Sequence, residues 1–111
     1  MTDWTDIERA LRDRKEFYYF PEQFISFHGY MRKYGDKPYY EVYCTLNGEQ
    51  IVVACAVRNL WYLNIRRYPH EMKNKLAKLR DFIRLVADKL VECQNEDTLR
   101  NKVRKETGIL V

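Results

Sequence analysis

The sequence predicts an α+β fold: a four-stranded antiparallel meander sheet covered on one face by a long amphipathic helix, with an N-terminal helix and a short C-terminal helix. Three observations predict it. Apolar residues alternate in four segments between positions 24 and 68, Asn47-Gly48 supplies a two-residue hairpin turn, and apolar residues from Met72 to Cys93 recur at intervals of four and three. A chain of 111 residues holds one ordinary core, so residues 1–111 are expected to form a single domain.

The first helix is expected over about 4–15. Asp3 is placed to cap it, Asp6 adds negative charge to its first turn, and Trp4, Ile7 and Leu11 form its apolar stripe. Phe17-Tyr18-Tyr19-Phe20-Pro21 has neither helical nor strand alternation, and Pro21 disfavours a long central strand. That run is expected to wedge against a core edge.

Four strands follow, at about 24–34, 39–46, 50–57 and 61–68, joined by turns at 35–38, Asn47-Gly48 and 58–60. No crossover long enough for a parallel connection is expected, so the meander is antiparallel throughout. Pro69 then opens a helix over about 70–92, whose stripe of Met72, Leu76, Leu79, Ile83, Val86, Leu90 and Cys93 faces the sheet. Asn95 caps a final helix over about 96–107, and Gly108 ends it.

The middle hairpin pairs Cys44 with Ile51, Tyr43 with Val52 and, carried on, Tyr39 with Ala56. The outer loops would set Tyr30 opposite Tyr43, Arg32 opposite Glu41 and Val53 opposite Ile65. One face then gathers Ile25, Phe27, Gly29, Met31, Val42, Cys44, Ile51, Val53, Cys55, Val57, Trp61 and Leu63. The other carries His28, Tyr30, Arg32, Tyr34, Tyr39, Glu41, Tyr43, Tyr62, Arg66 and Tyr68, with a trough at Val52, Ala54 and Ala56. Such a tyrosine-rich face is either an ordinary stabilised or helix-covered sheet surface, or a patch large enough to imply a partner.

Composition narrows the partner. Hydrophobic residues make up 46% of the chain, and no apolar run reaches the length of a membrane span. The acidic N-terminus does not read as a signal peptide, and three scattered cysteines favour a reducing, cytoplasmic setting. Net charge is +4; residues 1–23 are acidic overall, and the positive excess begins with the first strand of the sheet.

Single-stranded DNA or RNA is the leading candidate partner, bound without sequence preference. Tyr30, Tyr39, Tyr43 and Tyr62 would stack bases, while Arg32, Arg66 and Arg67 would hold phosphates. The alternative is a non-enzymatic interaction or regulatory module, associating with itself or another protein through the same face or the long helix. Small domains gain from extra burial, which favours a homodimer. No enzymatic activity, metal or cofactor is expected: His28 and His70 lie in different elements, and no CxxC or glycine-rich phosphate loop is present.

Overall fold

Two-residue turns organise the centre of the molecule. The computed structural model describes residues 4–67 and 81–108. Its strands are β1 (Phe17–Glu22), β2 (Ile25–Tyr34), β3 (Lys37–Leu46), β4 (Glu49–Val57), β5 (Leu60–Asn64) and β6 (Leu90–Cys93). Gly35-Asp36, Asn47-Gly48 and Arg58-Asn59 join β2 to β5. Asn47 and Gly48 both adopt positive φ, 49° and 84°, which matches the twist of a tight hairpin.

The expected four-stranded meander is corrected to a six-stranded mixed sheet in the order β1-β2-β3-β4-β5-β6. The fifth strand is the aromatic run itself, with Phe17, Tyr18 and Tyr19 opposite Gly29, His28 and Phe27. Pro21 is tolerated because β1 lies at the sheet edge and its register shifts between Tyr19 and Glu22. The sixth is β6, which runs parallel to β5, with Trp61 opposite Leu90 and Asn64 opposite Cys93. Residues 65–89 provide the crossover that a parallel pair needs.

The long helix expected at about 70–92 is corrected as well. Residues 81–85 are helical (α2), a short 3-10 turn occupies Ala87–Lys89, and the chain is extended from Leu90. Leu90 and Cys93 fit a helical stripe by spacing alone, and four residues are too few for periodicity to decide between helix and strand. Met72, Leu76 and Leu79, on the same expected stripe, lie outside the described residues, as do Asp3 and Tyr68. Helix α1 (Trp4–Asp13) ends two residues early at Arg14, which has φ 54°. Helix α3 (Glu96–Thr107) forms as expected, its Thr98 N–H donating to Asn95 Oδ1 at 3.0 Å and Gly108 closing it.

Helices pack on both sides of the sheet. On the first, Ile7 and Leu11 of α1 and Phe82 and Ile83 of α2 are buried with Phe27, Tyr40, Val42, Cys44, Ile51, Val53, Trp61 and Leu63. On the second, Leu99 and Val103 of α3 are buried with Tyr39, Tyr43, Val52, Cys55, Val57 and Tyr62. Gly29 marks a close approach on the first side. A Cβ there would collide with both the Phe17 ring and the Tyr40 hydroxyl.

A β-bulge decides which β4 residues face which core. Val42 lies opposite Ala54 while Tyr43 lies opposite Val52, so Val53 is an extra residue on β4. Beyond it the alternation inverts: Ala54 and Ala56 join the first core, and Cys55 and Val57 join the second. This reverses the expected faces of those four residues and moves the partner of Ala56 from Tyr39 to Tyr40. The β4–β5 register also differs by one residue, Ala54 meeting Leu63 and Ala56 meeting Trp61. The two changes offset each other, so Trp61 and Leu63 keep the face their alternation predicts. The fully buried Asn64 follows Leu63, and its Nδ2 donates to the Val52 carbonyl at 3.0 Å.

The first turn uses only Gly35 and Asp36, shifting the β2–β3 register by two residues. Tyr30 therefore faces Glu41, Arg32 faces Tyr39 and His28 faces Tyr43, with every side chain on its expected side. Pro38 sits inside β3 without loss because pairing with β4 starts only at Tyr40.

Candidate binding surface at the edge of the sheet

Helix α3 covers β3 to β6 on the tyrosine-bearing side and reaches β2 at its end, where the Arg104 guanidinium lies 5.5 Å from the Tyr34 ring centre; β1 and the rest of β2 lie outside its main contacts. That division sorts the candidate stacking residues. Tyr39, Tyr43 and Tyr62 are 5%, 6% and 1% exposed, shut beneath α3. Tyr30 is half-buried, and Arg32 is exposed at the end of the same strand. Arg66 is exposed but lies in the 3-10 turn Ile65–Arg67 after β5, away from Arg32; Arg67 ends that turn. The structure therefore brings Tyr30, Arg32, Tyr39 and Tyr43 together, buries two of these four, and leaves Arg66 and Arg67 elsewhere.

At the seam between sheet and helix lies Glu41, wholly removed from water. Arg32 Nη1 donates to its Oε2 at 3.2 Å, and the Tyr39 hydroxyl donates to the same oxygen at 3.4 Å. Its Oε1 meets Arg100 Nη1 of α3 at 3.6 Å, an ion-pair rather than a hydrogen-bond distance. Arg100 also bonds Glu96 at 3.1 Å, and Arg32 donates to the Tyr43 hydroxyl. Burial, reinforced by the Glu41 charge, pushes the Tyr39 and Tyr43 phenols up to about 12. These groups are neutral hydrogen-bonding partners near neutral pH, and they serve to clamp α3 onto β3.

The uncovered half carries a file of stacked rings. Tyr18 stacks on His28 with centroids 3.9 Å apart, His28 on Tyr30 at 4.4 Å, and Tyr30 on Tyr43 at 5.7 Å. Phe20 extends the file beside Tyr18 at 6.0 Å. The Arg32 guanidinium lies 5.9 Å from the Tyr30 ring centre. His28 sits between two rings, so desolvation lowers its pKa, with Glu16 at 3.9 Å opposing that shift. Within this file most ring faces are already taken by a neighbouring ring.

Exposed aromatics gather where the file meets β1. Phe20 is 67% exposed, Phe24 64% and Tyr18 50%. On the opposite side of the same strand Tyr19 and Trp4 are half-buried, packed edge to face at 6.2 Å. Tyr18, Tyr19 and Phe20 carry the surface that the four-strand reading missed. The signal was present as four consecutive aromatics before a proline, a pattern compatible with an edge strand whose two faces are both apolar.

Among the described residues no group of three or more His, Cys, Asp or Glu side chains is placed to hold a metal ion, and no helix is long and apolar enough to cross a membrane. No family model, curated protein or solved structure matches the chain.

Proposed function

We propose that this chain is a non-enzymatic protein-association module whose working surface is the β1 edge of the sheet. One observation carries the proposal: exposed or half-exposed aromatic side chains flank β1 on both faces, Tyr18 and Phe20 on one, Trp4 and Tyr19 on the other. A ligand that lies on one face of a sheet, as single-stranded nucleic acid does on an aromatic platform, would use half of these groups. A polypeptide that continues the sheet past its edge would use all of them, adding backbone hydrogen bonds along β1. Tyrosine and tryptophan supply large contact area with few rotatable bonds, which suits an interface.

Sequence-tolerant binding of single-stranded DNA or RNA is the competing reading, supported by Tyr18, Phe20, Tyr30 and Arg32 on the uncovered half. The experiment that separates the two places a photo-crosslinking p-benzoylphenylalanine at Phe20, with Lys102 on α3 as the control position, in the full chain. Association with protein predicts a discrete adduct from position 20 alone, protease-sensitive, nuclease-resistant and lost when Tyr18→Lys is added. Labelled single-stranded oligonucleotides should then show no saturable anisotropy change at low salt. Saturable oligonucleotide binding that weakens with salt, or a nuclease-sensitive adduct, overturns the proposal in favour of nucleic acid.

A further inference from the structure

Resting on the protein-association reading, we propose that the occupant of the β1 edge is a second copy of this chain, its own β1 pairing antiparallel about a two-fold axis perpendicular to the sheet. The composition of the edge is what a self-complementary contact needs. From Phe17 to Pro21 there is no charged side chain, so the like-charge repulsion that normally keeps edge strands apart is missing along this stretch.

Symmetry constrains the pairing further. A two-fold axis perpendicular to the sheet keeps each face continuous across the junction, so first-core side chains must meet first-core side chains. The axis must then pass beside one residue and its own copy. With Tyr19 there, Tyr18 would face the partner's Phe20 and Phe17 the partner's Pro21, so the pairing would run through the stretch where the register of β1 shifts and where Pro21 has no N–H to donate. With Tyr18 there, Tyr18 faces its copy on the uncovered side, and Phe17 faces the partner's Tyr19 on the other. Both of those are aromatic pairs between strands, the kind that stabilises antiparallel contacts.

Both layers gain from this arrangement. The two stacked files, each running from Tyr43 and Tyr30 through His28 to Tyr18, would join into one aromatic strip bounded on either side by an α3 helix. On the opposite side the Trp4–Tyr19 contacts of the two copies would come together beneath the junction. Sheet edge, upper rings and lower rings thus form one interface.

The test is light scattering across a micromolar concentration series, with Tyr18→Lys as the edge variant and Leu85→Lys as a control. Leu85 is 69% exposed on α2, remote from β1 in sequence and outside the proposed contact. The wild type and Leu85→Lys should report twice the 13.6 kDa chain mass, and Tyr18→Lys the single mass with an unchanged circular dichroism spectrum. Tyr18→Cys should also form an intermolecular disulfide under mild oxidation, because the two copies of position 18 face each other, while the buried native Cys44, Cys55 and Cys93 do not compete. A constant monomer mass for the wild type overturns the second copy. So does a dimer that survives Tyr18→Lys, which would put the interface elsewhere. A monomeric wild type whose position-20 crosslink captures a different protein overturns this inference alone, whereas oligonucleotide binding without any protein adduct overturns the association reading as well.

Discussion

Arg100 of α3 and Glu41 of β3 lie 3.6 Å apart across the seam between helix and sheet, with the carboxylate fully buried and the guanidinium about one-third exposed. Burying a carboxylate is expensive, and Arg32, Arg100 and the Tyr39 hydroxyl together offset that expense. The pair ties α3 to the face that the sequence leaves as a choice between solvent, helix and partner.

Removing both members should therefore cost less than the two single losses added together. Arg100→Met leaves Glu41 buried with Arg32 and Tyr39, and an expected loss of about 1–3 kcal/mol, discounted from the fully buried case because Arg100 is partly solvated. Glu41→Leu should be destabilising by a similar amount. The double substitution should cost less than the sum, read from urea midpoints; strict additivity would show that the two groups are not coupled.

Gly29→Ala should loosen β1. The added methyl would collide with Phe17 and with the Tyr40 hydroxyl, which donates to the Lys15 carbonyl at 2.8 Å. Overpacking of this kind costs about 1–3 kcal/mol. Amide exchange should accelerate in β1 before it does in β3 and β4; uniform acceleration, or none, would contradict the close approach.

Stability should fall as the solution is acidified through the ordinary histidine range, in part because of His28. Desolvation between Tyr18 and Tyr30 lowers its pKa from 6.5, against the pull of Glu16, so the unfolded chain takes up a proton more readily than the folded one. The contribution is complete above 6.5 and is lost as pH drops below it towards the folded-state value. His28→Phe keeps a ring in the stack and should lose this component. Its urea midpoint relative to wild type should rise as pH falls through that window, and parallel pH profiles would reject the assignment.

All three thiols should resist modification in the native protein. Burial pushes Cys44 up to about 11 and raises Cys55 and Cys93 also, so little thiolate is present near pH 8. Labelling should be slow without denaturant and reach three groups per chain with it. One fast-reacting thiol in the native state would show that a cysteine is more accessible than its packing implies.

Local chemistry made several elements legible. Asn95 and Gly108 bracket α3 because capping is written in the residues that perform it. Asn47-Gly48 fixed the middle hairpin, and Cys44 opposite Ile51 follows from it. The side of the sheet on which Tyr30, Tyr39 and Tyr43 lie was also readable, since alternation assigns faces from spacing alone and a two-residue register shift leaves them unchanged; Tyr62 keeps its side because the one-residue β4–β5 shift offsets the bulge.

Three features required the assembled structure, each for a physical reason. The bulge at Val53 has no marker in Ile51-Val52-Val53-Ala54-Cys55-Ala56, where every residue suits either core, so only packing on both faces selects which one is extra. The parallel pairing of β6 with β5 depends on a strand of four residues, shorter than the span over which periodicity distinguishes strand from helix. The burial of Tyr39, Tyr43 and Tyr62 depends on where α3 comes to rest, and that is set by the contact of Leu99 and Val103 with the second core and of Arg100 with Glu41. Sequence spacing determines which side chains share a face; which part of that face stays open is a matter of long-range packing, and here it leaves the β1 edge.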